Sequence, residues 1–232
     1  MPDDNFLWMM DEYQAVVDYK GNWYSAINLL LSDNITVREK KGENNFLSKT
    51  AEEFKKILKT TIDLYSAIRK DYILNGGKPY SKKLFRGGRI GKIDRAFLST
   101  SDKFATAFGF AKMYDRISGG ILYAIESRDV PYINVGKYIF DRYSDIEEDD
   151  EPEILFLPCQ YKKTNDISIN DCIEIAQNQG EKILIANTIK RKFGKLRCEE
   201  VELEELDYSK EKTDLTEDDL CMVFSEYKKI LK

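Results

Sequence analysis

The spacing of apolar residues changes character at Leu84, and that change bounds the folds open to this chain. Before it, the spacing is helical. The stretch Asn5 to Tyr19 carries Phe6, Met9, Met10, Tyr13, Val16 and Val17, three to four residues apart, as one face of a helix requires. The pattern resumes from Trp23 to Leu31 after Gly21. A further helix is predicted from Ala51 to about Leu74, with Thr50 and Glu53 at capping-box spacing and Asn75-Gly76-Gly77 as its stop. Beyond Leu84 the segments are short and rich in β-formers: Lys83–Arg86, Ala96–Thr100, Ile121–Glu126, Tyr132–Val135, Ile154–Leu157, Ile183–Ala186 and Glu199–Leu206. One short helix, about Lys103 to Met113, interrupts them, and Thr216 to Leu231 reads as a closing helix. Helices first and strands later predict the α+β class.

The whole chain, 1–232, is expected to form one domain: a helical lobe over 1–80, a β core over 81–208 and a closing helix over 209–232. A hydrophobic content of 42% is enough for a true core.

Composition removes whole classes of chemistry. The chain has 0 histidines, so Ser-His-Asp and Cys-His nucleophiles, His-ligated zinc and imidazole acid–base catalysis are out. Acid–base work falls to Asp, Glu, Lys, Tyr or Cys. Cys159, Cys172, Cys198 and Cys221 form no CxxC pair, so they read as reduced thiols and no metal is expected. A net charge of −5, with no segment that stands out as strongly basic, disfavours nucleic acid. No apolar run approaches the ~18 residues of a membrane span, and no membrane partner is expected. The acidic start MPDDNFLWMMDEY is unlike a signal peptide. The protein is expected in the cytoplasm, or secreted by a route that needs no such signal. Its oligomeric state is not legible.

Three short motifs carry candidate chemistry. In Leu84-Phe85-Arg86-Gly87-Gly88 an arginine ends an apolar strand before two glycines. It can aim a fixed cation at an anion, and the glycines allow close backbone approach. In Phe97-Leu98-Ser99-Thr100-Ser101, strand alternation puts Ser99 and Ser101 on one face. In Glu151-Pro152-Glu153 the two carboxylates share a face if the segment is a strand. Paired carboxylates are what glycosyl chemistry uses around an oxocarbenium-like centre. Taken singly, each motif is ordinary: a strand-to-turn junction, a strand end that caps a helix, a solvated acidic loop.

Together and in this order, FRGG, then FLSTS followed by a helix carrying Ala107 and Phe108, then EPEILFLP, they resemble the mono-ADP-ribosyltransferases of the Arg-Ser-Glu class. Bacterial toxins and effectors and the vertebrate ecto-enzymes belong to that family. The resemblance covers about residues 50 to 190. It implies a split, two-sheet ADP-ribosyltransferase-like β core and NAD+ as co-substrate, without metal. Arg86 would contact the NAD+ diphosphate and Gly87 the nicotinamide carboxamide. Ser99 would hold Glu153, which stabilises the cation as nicotinamide leaves. Glu151 would face the acceptor, Tyr143 would lie against it, and Phe104 or Phe108 would stack on the nicotinamide. A glutamate two residues before the catalytic one goes with arginine acceptors. The implied activity is therefore transfer of ADP-ribose to an arginine of an acceptor protein, a host protein if the chain is an effector. NAD+ glycohydrolysis and a catalytically silent binding module stay open beside it. Arg89 adds a second cation with no assigned role.

Seven carboxylates stand between Asp145 and Glu153, directly ahead of the apolar Ile154-Leu155-Phe156-Leu157. In the resemblance this is the acceptor-recognition loop. Its field would attract a basic acceptor surface, although a solvated turn has the same composition. Neutralising Asp145, Glu147, Glu148 and Asp149 together is expected to raise the acceptor KM at low salt and much less at high salt; an unchanged KM removes the steering role.

Overall fold

The computed structural model describes residues 4–31, 51–89, 96–141 and 153–205. The chain begins with α1 (Asp4–Asp18), a π-helical turn (Tyr19–Trp23) and α2 (Tyr24–Leu31), followed by α3 (Ala51–Leu74). The end of α3 is set by its glycines. Gly76 and Gly77 have φ of +88° and +60°, the left-handed region that glycine enters without steric cost. There the Gly77 N–H donates to Tyr72 O at 2.9 Å and the Gly76 N–H to Ile73 O at 3.0 Å, the nested pair of a Schellman stop. The expected cap at Thr50 and the expected helix 216–231 lie outside the described residues.

The remaining elements are β1 (Leu84–Arg89), β2 (Leu98–Ser101), α4 (Phe104–Ser118), β3 (Gly120–Glu126), β4 (Tyr132–Asn134), α5 (Val135–Phe140), β5 (Glu153–Phe156), β6 (Cys159–Ile167), α6 (Ile169–Asn178), α7 (Ala186–Phe193) and β7 (Arg197–Glu205). The strands form one open sheet in the order β4-β5-β2-β1-β3-β7-β6. Among the described strands only β3 and β7 run parallel. The seam between β1 and β2 is narrow, with Phe85↔Ser101 as its single Cα pair, whereas β1 and β3 share the whole run from Leu84 to Arg89. Two separate sheets were expected; the described strands instead form one hydrogen-bonded series that nearly parts at this seam.

Three apolar clusters fill the layers. The N-terminal helices bury Val16, Tyr19, Ile27, Leu64 and Ile68 against Phe97, Ile133, Leu155 and Leu157, so they share a core with the β2-β5-β4 end of the sheet. Under α4, α6 and α7 lie Phe85, Phe104, Leu122, Ile173 and Ile189. Leu84, Leu98, Ile125, Ile154, Phe156 and Val201 make the third cluster on the opposite face of the sheet.

Five elements differ from the sequence reading, among them the helices α5 and α7, which were not expected. The segment 183–186 is no strand; Leu184 and Ile185 are exposed and lead into α7. Strand β6 was missed because most of its residues are exposed and polar, so no alternation shows. Helix α6 was missed although Ser168 and Asp171 form a full capping box.

Side-chain clamps and missing side chains position β1. The Gln179 amide accepts from the Lys83 N–H at 2.6 Å and donates to Lys83 O at 3.0 Å, which pins the residue before β1. Lys103 offers no side-chain cap to α4. The Glu181 carboxylate takes that place, accepting from the N–H groups of Phe104 at 2.7 Å and Ala105 at 3.1 Å. Helix α4 then lies directly on the sheet backbone. A Cβ at Gly87 would stand 2.0 Å from Ala107 O and 2.4 Å from Ala111 N, and one at Gly120 2.0 Å from Ala111 O. Both contacts are with main chain, which cannot rotate away.

Gly87→Ala is therefore expected to lower Tm by about 6 °C or more, through overpacking that shifts α4 off β1. Gly88→Ala, with nothing within 4 Å of the added carbon, is expected to leave Tm within about 2 °C. Thermal unfolding followed by circular dichroism checks both; equal shifts would contradict the packing role of Gly87.

Candidate active site

The narrow seam is where the candidate residues meet. Had the β1/β2 register continued from Phe85↔Ser101, Gly87 would face Ser99. It does not. Arg86 enters the opening instead, and its Nη1 donates to the Ser99 carbonyl at 2.5 Å. The guanidinium thus takes a main-chain acceptor that the ladder would otherwise use. Among the described residues, the β2-facing edge of β1 past Phe85 has no strand partner, so its main chain is free to meet a ligand.

On the other side of β2, the register pairs Ser99 with Leu155 and Ser101 with Glu153. Alternation puts Ser99, Ser101 and Glu153 on one face, the face that Leu155 and Ile133 give to the N-terminal helices. Glu153 lies directly across from Ser101 and one pleat repeat from Ser99, about 7–8 Å on the diagonal. Ser99 was expected to hold Glu153. Strand pairing makes Ser101 the nearer hydroxyl, while Ser99 meets Arg86 through its carbonyl. The Ser101 hydroxyl also accepts from the Lys103 N–H at 3.0 Å, the helix-entrance role its position allowed.

Tyr19 packs on the same face of the sheet, beside Phe97. It is 2% exposed and sits edge-on to Phe97 at 5.9 Å. Burial pushes its phenol well above the usual tyrosine range; the negative charge of Glu153 adds to the rise and the positive charge of Arg86 opposes it. Both charges therefore act on one hydroxyl. Tyr19 stays a neutral proton donor at any working pH. Its oxygen accepts from Asn28 Nδ2 at 3.1 Å, and the Asn28 side-chain oxygen is buried with no hydrogen-bond partner among the described residues. A buried acceptor left open in this way suits a ligand donor. No motif marks this pair in the sequence. The only signal was a polar Asn28 inside the apolar run Ala26 to Leu31.

Other expected residues fall elsewhere. Phe104 is fully buried, edge-on to Phe85 and stacked on Phe108 at 5.5 Å. Its ring is core between α4 and β1 and offers no open face to a nicotinamide. Phe108 packs with it and with Phe193. Gly87 has a packing reason of its own, as shown above. Glu151, Tyr143 and the acids at 145–150 lie outside the described residues. Cys159, Cys172 and Cys198 are free and buried. Burial pushes the Cys159 thiol up to about 12, with Arg86 opposing the rise, so it is no nucleophile at neutral pH. Among the described residues no group of His, Cys, Asp or Glu could hold a metal ion, and no helix is long and apolar enough to cross a membrane.

No family model matches the chain, and no curated protein does. Among solved structures the chain is similar to the Vis toxin, an ADP-ribosyltransferase from Vibrio splendidus, at 15% identity over 86% of this chain and 76% of that one, with a TM-score of 0.44. It is similar at 15% identity to the ADP-ribosylating toxin BECa of a C. perfringens binary enterotoxin, solved with NADH, over 84% of this chain and 43% of that one, TM-score 0.43. The catalytic domain of VahC from Aeromonas hydrophila gives 15% identity over 84% and 98%, TM-score 0.41. Likenesses this distant assign neither an activity nor an acceptor.

Tyr19→Phe removes the acceptor of the Asn28 amide and leaves both its polar atoms unpaired. It is expected to cost about 1–3 kcal/mol of stability. In an Asn28→Leu background the same change should cost distinctly less, a coupling read from a double-mutant cycle of urea unfolding. Additive effects would mean that the two side chains do not act together.

Proposed function

We propose that this protein is a mono-ADP-ribosyltransferase that moves ADP-ribose from NAD+ to an arginine side chain of an acceptor protein and releases nicotinamide. The supporting observation is that the Ser99 carbonyl holds the Arg86 guanidinium at the opening between β1 and β2, beside the strand pair that carries Ser99, Ser101 and Glu153. A fixed cation, an open strand edge and a carboxylate are what a dinucleotide with a reacting ribose calls for. The order of the three motifs in the chain supports the same reading.

In this proposal Arg86, oriented by the Ser99 carbonyl, holds the NAD+ diphosphate through charge-assisted hydrogen bonds. The main chain at Gly87 meets the nicotinamide carboxamide. The bond between ribose C1′ and the nicotinamide nitrogen breaks, and its electron pair leaves with nicotinamide. Glu153 accepts a hydrogen bond from the ribose 2′-hydroxyl and stabilises the oxocarbenium-like charge. A guanidinium is cationic at any working pH, so it has no free electron pair until a proton is taken. Glu151 attracts it and accepts that proton, and a guanidine nitrogen forms the new bond to C1′. Tyr143 lies against the acceptor. Water in place of the guanidine gives NAD+ glycohydrolysis, the competing reading.

Incubation with labelled NAD+ and a cell lysate tests the proposal. Wild type should label protein, and hydroxylamine should release that label, as an arginine linkage requires. Glu153→Gln should lower both labelling and nicotinamide release by about 10²–10³-fold. Glu151→Gln should lose labelling yet keep nicotinamide release. Free nicotinamide without labelled protein would favour the hydrolase, and an effect on cells that survives Glu153→Ala would favour a silent binding module.

A further inference from the structure

We propose that the surface formed by residues 182–197 docks the protein onto an anionic lipid membrane. The net charge of −5 conceals a basic segment, and the expectation that no segment is strongly basic is corrected here. Lys182, Lys190, Arg191, Lys192 and Lys195 are all exposed. Several cations elsewhere are paired, Lys59 with Asp11 and Asp63, Lys83 with Glu126 and Glu200, Lys163 with Asp166 and Glu199. Exposed lysines without an ion pair among the described residues, such as Lys78 and Lys137, stand singly in the sequence, and Lys162 stands beside an acid, across the ladder from Glu202. These five make no ion pair among the described residues. In α7 the buried Ile189 and half-buried Phe193 face the core, and helical geometry puts Arg191 opposite Ile189 with Lys190 and Lys192 flanking it.

Beside the cations stand two exposed aliphatic side chains, Leu184 at 94% and Ile185 at 61%. They sit on a structured turn, not a loose one. The Ala186 N–H donates to Ile183 O at 3.3 Å, and the Thr188 and Ile189 N–H groups donate to Ile185 O at 2.9 and 3.0 Å. Phe193 anchors the far end of α7 edge-on to Phe108 at 5.1 Å. A convex apolar tip held out among unpaired cations suits a bilayer interface, which takes up apolar side chains without needing a matching groove. A protein partner would need such a groove. A nucleic acid gains little from leucine and isoleucine, since its bases favour aromatic platforms. The segment is far too short to span a bilayer, so it lies on the surface. The expectation of no membrane partner rested on the lack of a spanning run and did not address this mode.

Co-sedimentation of the full chain with vesicles tests the proposal, independently of the reading of the active site. Phosphatidylcholine vesicles are compared with vesicles of phosphatidylcholine and phosphatidylserine in equal parts, with thermal unfolding as the folding control. Wild type should pellet with the mixed vesicles only, less so as salt rises. Lys190→Glu/Arg191→Glu/Lys192→Glu should abolish pelleting, and Leu184→Ser/Ile185→Ser should weaken it about tenfold or more at unchanged Tm. No binding to the mixed vesicles overturns the proposal. So does binding indifferent to Leu184 and Ile185, or poly(U) binding by the same lysines without vesicle binding, which would assign the cluster to RNA.

Discussion

An interrupted ladder organises this molecule. Strands β1 and β2 exchange one pair, Phe85↔Ser101, and then part, and the Ser99 carbonyl that continued pairing would have consumed accepts from Arg86. A main-chain acceptor taken partly out of water is costly to leave open, and here a charged side chain satisfies it. That choice fixes the guanidinium, frees the edge of β1 and leaves an opening in an otherwise continuous sheet. The candidate role of Arg86 follows from this geometry.

Two sets of helices on one face of the sheet hold the two sides of the seam in place. Helix α4 rests on bare backbone at Gly87 and Gly120, and the Gln179 and Glu181 side chains at the end of α6 tie the starts of β1 and α4 together. The N-terminal helices cover the β2-β5-β4 end and bring Tyr19 within electrostatic reach of Glu153 and Arg86. The N-terminal helices thus share a core with the sheet end that carries Ser99 and Glu153. Their π-helical turn at Tyr19–Trp23 falls at the residue those charges reach, in keeping with the tendency of π turns to mark functional positions.

Much of this was legible. The stop of α3 at Gly76-Gly77 and the strand positions of Arg86 and Ser99 were read from local chemistry, because each depends on residues adjacent in sequence. What failed depended on distance. Nothing near Phe104 shows that its ring would be sealed between Phe85 and Phe108. The register that sets Ser101 across from Glu153 is fixed by strand pairing, which alternation alone leaves free by whole pleats. Strand β6 is an exposed edge whose lysines and acids hide its period. Tyr19 and Asn28 carry no motif, since their meaning comes from a sheet that forms some seventy residues later.

The central claim is that the guanidinium held at the seam binds the NAD+ diphosphate. Calorimetric titration of NAD+ into Arg86→Lys beside wild type tests it most directly. A lysine keeps the charge but cannot satisfy the Ser99 carbonyl and a phosphate with one planar fork. The prediction is affinity weaker by about tenfold or more at nearly unchanged Tm. Equal affinity in the two proteins would contradict it.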